Sequence, residues 1–420
     1  MNRFHCPFFR SNPTTLAAEQ LQSVQVQQHS APNLRLSSID AYRGFVMFLM
    51  MAEVLKFHRI AVARPESAFW HFLSRHQTHV AWIGCSLHDL IQPSFSFLVG
   101  VALPFSIANR SARGQSHDKM AFHAAWRSLV LILLGVFLSS THQSQTNWTF
   151  DDTLSQIGFG YLFLFLLALR PRRDQWIALA AILIGYWLAF ALYPVAGPLF
   201  DYPAVGVPKG SPAVLTGFAA HWNKNSNLAW AFDTWFLNLF PRRTPFLFNG
   251  GGYATLSFIP TLGTMVLGLI AGEVLRTNRS ERKKVRWLAI AGIIALVAGT
   301  AFGMLGICPV VKRIWTPSWT LYSAGWCFLL TAGFYFVIDV ARKRSWFFPF
   351  IVIGANSIAA YFMAHVFGDF ISKSLTTHLG TEAFNLLGAD YQTLLLGASI
   401  LVVLWLLLFW MYRRKLFLKI

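Results

Sequence analysis

The chain has 420 residues, of which 55% are hydrophobic, 16% aromatic and only 12% charged, and its mean hydropathy is +0.48. That balance excludes an ordinary soluble globular protein and fits a polytopic membrane protein. The net charge of +18 is no sign of nucleic-acid binding, because the lysines and arginines fall in short clusters between apolar runs, which is a topology signal.

Residues 1–33, with QLQSVQVQQHS, are polar and rich in Gln and Ser. They lack the apolar core of a cleavable signal peptide and are expected to form a disordered cytoplasmic tail. Residues 34–420 then form a single membrane domain. Runs long enough to cross hydrocarbon, at about 20 residues each, fall near 41–58, 90–108, 122–140, 154–170, 176–193, 254–275, 287–305, 319–340, 348–372 and 393–412. The expected fold is all-α, a bundle of about ten transmembrane helices, with outer segments at about 59–88 and 194–253.

Basic residues follow alternate runs. Arg110, Arg113 and Lys119 follow the second, Arg170, Arg172 and Arg173 the fourth, and Arg276 to Arg286 the sixth. Arg342 to Arg344 follow the eighth, and Arg413, Arg414, Lys415 and Lys419 close the chain. The intervening side is poorer in Lys and Arg, with none after the third run and only Lys373 after the ninth, so both termini are expected in the cytoplasm. The two outer segments are dense in Trp, Phe and His (HWNKNSNLAWAFDTWFLNLF), which argues for a packed cap over the outer opening rather than disorder. For any single Trp there, an interfacial aromatic belt is the better explanation. Four scattered cysteines (Cys6, Cys85, Cys308, Cys327) have no metal-ligand spacing and no pair that demands a disulfide.

Ionisable groups at the edge of a membrane helix mark functional or paired structural sites. Arg127, Glu273 and Asp339 lie near the basic edge and suit local pairing, and Asp40 and Arg43 are spaced for an ion pair on one helical face. In HVAWIGCSLHDLIQPSFSFLVG (79–100), Gly84 and a helix entry separate His79 from Asp89, so the chain can fold back and join them. A carboxylate on one ring nitrogen raises the basicity of the other, which would make His79 a general base or nucleophile. The competing reading makes His79 one more solvated outer histidine and Asp89 a helix cap. His71, His76 and His79 match no usual zinc spacing, so no metal is expected.

The elements SSIDAYRG (37–44), the 79–100 motif, NLAWAFDTWFLN (227–238), IPTLGTMVLGLIAGEVL (259–275), PFIVIGANSIAAYFMAHVF (349–367) and YRRKLFLKI (412–420) occur in this order. Together they resemble the lysosomal heparan-α-glucosaminide N-acetyltransferase family and its bacterial relatives, over nearly the whole chain after the tail. The resemblance implies an acetyl-CoA-dependent transmembrane acyltransferase of a bacterial inner membrane. It would move acetyl from the cytoplasm to the amine of an amino sugar on the outer side. His79 and Asp89 fall on the family's catalytic positions. Asn356, Ser357 and His365 fall on residues expected along the acetyl-CoA path, and Asp233 and Trp82 are the expected sugar contacts. Acetyl-CoA, a sugar or glycan acceptor and the bilayer are the implied partners, nucleic acid is not, and a homodimer is left open. Two stretches depart from the family. Glu53 or Val54 stands where relatives place an asparagine near the catalytic histidine, and FNGGGYATLS replaces an Asp-Pro-Glu-Gly turn. Both departures touch the acceptor side. An O-acetyltransferase of surface glycans and a non-catalytic permease are the rival readings.

Overall fold

The computed structural model describes residues 36–418, so the expected tail at 1–33 lies outside the described residues. Among these, all regular structure is helical, apart from one isolated bridge between Ile83 and Val311. Helix α1 (Ser37–Met51) continues through a 3-10 turn to Leu55 and stops at Lys56, whose φ of 49° is left-handed. The first apolar run therefore ends sooner than its hydropathy suggests. The outer segment after it is not a loop but two short helices, α2 (Phe57–Ala63) and α3 (Ala68–Gln77).

Then come α4 (Ile91–Ser111), α5 (His117–Ser140), α6 (Thr153–Ala168) and α7 (Arg172–Leu192). Beyond the long outer segment and its helix α8 (Leu228–Phe236) follow α9 (Phe258–Arg276), α10 (Glu281–Met304) and α11 (Pro317–Tyr335). Helices α12 (Phe348–Ala355), α13 (Ser357–Leu379) and α14 (Gln392–Arg413) complete the bundle. Side chains start several of them by accepting orphan N–H groups: Ser116 for α5, Asp152 for α6, Asn227 for α8 and Thr316 for α11.

Each of the ten apolar runs falls on a helix or helix pair. Among the described residues, seven helices, with their flanking turns, are long and apolar enough to cross a bilayer: α4, α5, α7, α9, α10, α11 and α14. Helices α12 and α13 meet at 71° around Asn356 and make an eighth span as a pair, while α6 is shorter. The protein is a polytopic membrane protein.

Helix α9 is the most enclosed, with 83% of its apolar window buried. It touches α4 backbone to backbone: a Cβ on Gly268 would fall on the Phe97 carbonyl, and one on Gly100 on the Met265 carbonyl. Gly44 and Gly354 seat α1 on α12 in the same way. Lipid supplies no hydrophobic drive between helices, so close small-residue contacts carry the association.

Successive spans alternate in direction. Ser38 N–H donates to Asp339 (3.3 Å) and Arg172 pairs with Glu273 (3.1 Å), so the starts of α1 and α7 share one end with the ends of α9 and α11. The basic clusters lie at that end. The opposite end is closed by the 194–253 segment, whose Ala213, Trp222 and Ala229 enter one cluster with Trp82, Phe190 and Val311.

Candidate functional site

The site grows from two short connections at the end away from the basic clusters. Residues 79–87 fold back before α4, turning at Gly84, whose φ of +115° suits glycine. Gly84 N–H donates to Val310 O (3.0 Å), Ile83 bridges Val311, and the Arg313 guanidinium donates to Val80 O (3.1 Å). These bonds clamp the fold-back to the 308–316 connection. That connection is itself rigid, since the Thr316 hydroxyl accepts from Val311 N–H (3.0 Å) and donates to Pro309 O (2.8 Å).

Asp89 sits in the 3-10 turn His88–Leu90 that opens α4, and it is only 1% exposed. Its Oδ2 accepts from the N–H groups of Val80 (3.2 Å) and Ser86 (3.0 Å) and from the Ser86 hydroxyl (3.0 Å). Its Oδ1 lies 2.7 Å from His79 Nδ1 and 3.2 Å from Lys312 Nζ. A carboxylate only accepts, so Nδ1 carries the imidazole proton and Nε2 is left as the nitrogen with a lone pair. Lys312 is buried and also lies 3.1 Å from His79 Nδ1. An ammonium cannot donate to a protonated Nδ1, so its bond goes to Asp89 while its charge presses on the ring. Burial first, and then the Lys312 charge, hold the His79 imidazole below the ordinary histidine value, against the opposing pull of Asp89. Lys312 is itself drawn down by burial, with Asp89 resisting.

His79 opens on a cavity of about 300 Å³. His88, Lys312 and Tyr253 share its wall with His79, Glu53 reaches it from the end of α1, and Asp151 and Asp152 from the start of α6. Tyr361 and His365 of α13 line the far side. His88 Nε2 lies 2.8 Å from Glu53 Oε1, and the rings of His79 and His88 are 4.6 Å apart. The Tyr253 hydroxyl is pushed up to about 12, mainly by burial, and stays protonated.

Of the residues expected from the sequence, His79 and Asp89 are thus joined and His365 faces the same cavity. Asn356 and Ser357 lie at the break between α12 and α13, outside the cavity lining. The Asn356 amide donates to Leu416 O (2.8 Å) and accepts from Leu418 N–H (3.1 Å), tying down the segment after α14. The two expected sugar contacts are placed elsewhere. Trp82 is 1% exposed, donates to Trp222 O (3.1 Å) and packs the cap interior, because its indole is worth more buried than at the cavity. Asp233 accepts from Thr255 N–H (2.9 Å) at the entry to α9 and lines a second, much smaller pocket that shares Tyr253 with the first.

Sequence reasoning missed Lys312, Tyr253, Asp151 and Asp152. The acidic pair before an apolar run was a visible helix-start signal, but nothing local marked Lys312. Several other intramembrane charges have partners: Arg127 bonds Tyr161 (3.2 Å), Glu273 bonds Arg172 and Gln175, and Arg43 pairs with Asp40 (3.7 Å). Among the described residues, no group of three or more His, Cys, Asp or Glu side chains is placed to hold a metal ion.

No family model matches the chain. Among curated proteins it is similar to the heparan-alpha-glucosaminide N-acetyltransferase of Homo sapiens, 25% identical over 435 residues, and to that of Mus musculus, 24% identical over 430. Each match covers 92% of this chain, which spans 60% of the length of those relatives. The similarity to the heparan-alpha-glucosaminide N-acetyltransferases thus runs along the length of the bundle.

Proposed function

We propose that the protein is a transmembrane acetyltransferase, moving acetyl from cytoplasmic acetyl-CoA to the amine of an amino sugar on the outer side, with His79 as acetyl acceptor or general base. The observation that carries this reading is the His79 Nδ1 to Asp89 bond of 2.7 Å at the wall of a cavity, which leaves Nε2 basic and unprotonated. The relatives' names supply the reaction class, and a bacterial inner membrane follows from the resemblance rather than from the geometry.

Topology supports the direction of transfer. The cavity lies at the end opposite the basic clusters, and the positive-inside rule puts those clusters, and both termini, in the cytoplasm. A donor entering from the basic end meets Asn356 and Ser357 at the break first. His365, eight residues on, stands about 12 Å further along α13 at the cavity, which fits a thin thioester arm threading between them. The cavity's volume suits the acetyl end of the donor together with one amine, not the nucleotide.

Purified protein given labelled acetyl-CoA and glucosamine should release coenzyme A and yield N-acetylglucosamine, and His79→Ala should abolish both. Sugar flux without coenzyme A release, or full transfer by His79→Ala, would overturn the assignment in favour of a permease or another catalytic group. Transfer to glycan hydroxyls in place of amines would move the acceptor class while leaving the donor site intact.

A further inference from the structure

A proton count points past His79. An amino sugar meets the cavity as an ammonium, and the amide nitrogen that leaves has two fewer protons. One of them follows the leaving thiolate, by way of His79 Nε2. The other needs a second base on the acceptor side.

Resting on the acetyltransferase reading, we infer that Glu53 is that second base and the site that receives the acceptor's ammonium, with His88 as the residue that positions it. Glu53 closes the end of α1 at the cavity, and its side chain is 56% exposed, so one face remains open to a ligand. His88, 6% exposed, donates Nε2–H to Oε1 at 2.8 Å and fixes the carboxylate beside the His79 ring. The other two carboxylates at the cavity are already engaged. Asp151 accepts from the Thr149 hydroxyl (2.6 Å) and the Asn249 amide (2.8 Å); Asp152 caps α6 through Oδ1, accepting from Leu154 and Ser155 N–H, and its unbonded Oδ2 is buried and presents no open face to a ligand.

In the step itself, Glu53 takes one proton from the ammonium and frees the nitrogen lone pair. That pair forms the bond to the acetyl carbon as the bond from that carbon to sulfur, or to His79 Nε2, breaks. In direct transfer the second nitrogen proton passes by way of His79 Nε2 to the departing thiolate, giving amide, free thiol and one proton left on Glu53 for solvent; from acetyl-His79 it stays on Nε2, and the thiolate released earlier takes its proton from solvent.

The test is the pH dependence of kcat/KM for glucosamine in wild type and Glu53→Gln. Six charged or titratable groups face the carboxylate across the cavity: His79, His88, His365, Lys312, Asp151 and Asp152. Tyrosine's ordinary value near 10 already lies above the range used, and burial raises Tyr253 further. Loss of a general base costs about 100-fold. That loss is expected at pH 6, where the amine is charged, and should shrink below about tenfold at pH 9, where the amine supplies its own lone pair. Glu53→Asp should recover part of the rate at pH 6, and His88→Gln should show the same pattern with a smaller loss. An equal loss at both pH values, or no loss at pH 6, overturns the inference. Wild-type protein that transfers no acetyl at all defeats the acetyltransferase reading instead, and this inference falls with it.

Discussion

The Lys312 ammonium nitrogen stands 3.1 Å from His79 Nδ1 while both lean on the same oxygen of Asp89. The carboxylate orients the imidazole and would by itself make it more basic. The buried cation opposes that effect, so the ring can be held in place and still remain neutral at physiological pH.

Replacing Lys312 with Met should therefore change the pH profile more than the maximum rate. The active form is neutral imidazole, and its activity appears as pH rises through the His79 pKa, which lies below the ordinary value. Without the cation that pKa rises, so the ascending limb of kcat/KM moves to higher pH. The variant should lose more activity at pH 6 than at pH 8. An unmoved limb would show that Lys312 serves packing alone.

Asp89→Asn tests the other partner. It keeps the shape but lets the imidazole take the wrong tautomer, and comparable triad substitutions cost about 10⁴-fold. It also leaves Lys312 as an uncompensated buried charge, at about 3–5 kcal/mol. Combining Asp89→Asn with Lys312→Met should restore most of the thermal stability and none of the activity. Thermal melts in detergent, run beside an acetyl-transfer assay, separate these two losses.

The reach of the sequence follows from which interactions are local. Hydropathy located each of the seven membrane-length helices among the described residues, because the bilayer imposes length and composition on each helix separately, although it counted about ten runs. His79 and Asp89 were legible because a separation of 10 positions and one glycine turn join them. Lys312 lies 233 positions from His79, and its approach depends on a clamp of backbone bonds from Gly84 and Val80 to the 308–316 connection. One bond of that clamp, from the Arg313 guanidinium to Val80 O, is itself a long-range side-chain contact, and no periodicity or motif encodes it. Trp82 misled for a related reason: its place inside the motif says nothing of which way the indole turns, and the apolar cap claimed it.

Glycine substitutions should separate contact from propensity. Gly268→Val pushes a side chain into the Phe97 carbonyl on α4, and backbone cannot move aside as a flexible side chain can. A loss of about 3 kcal/mol or more, at the top of the overpacking range, is expected. Gly185 on α7 has nothing within 4 Å of a Cβ, so Gly185→Ala should be neutral or stabilising by up to about 1 kcal/mol through helix propensity. Melting temperatures of the two variants should move in opposite directions or, at the least, differ by the whole of the first effect.

Asp233 offers a stability test independent of catalysis. Burial pushes its carboxyl up to about 7 from 3.8, although Thr255 N–H stabilises the ionised form, and Oδ1 is buried without a hydrogen-bond partner among the described residues. The folded state therefore holds a proton that the unfolded chain releases, so between about pH 4 and 7 folding stability falls as pH rises. Above the folded pKa the loss is complete. A shift of about three units corresponds to about 4 kcal/mol at most. An amide at this position cannot ionise, so Asp233→Asn should melt close to wild type at pH 5 and clearly higher at pH 8. A variant whose melting follows the wild type's decline across that range would show that the carboxyl is ionised at neutral pH, with a cation or water supplying the partner that Oδ1 lacks.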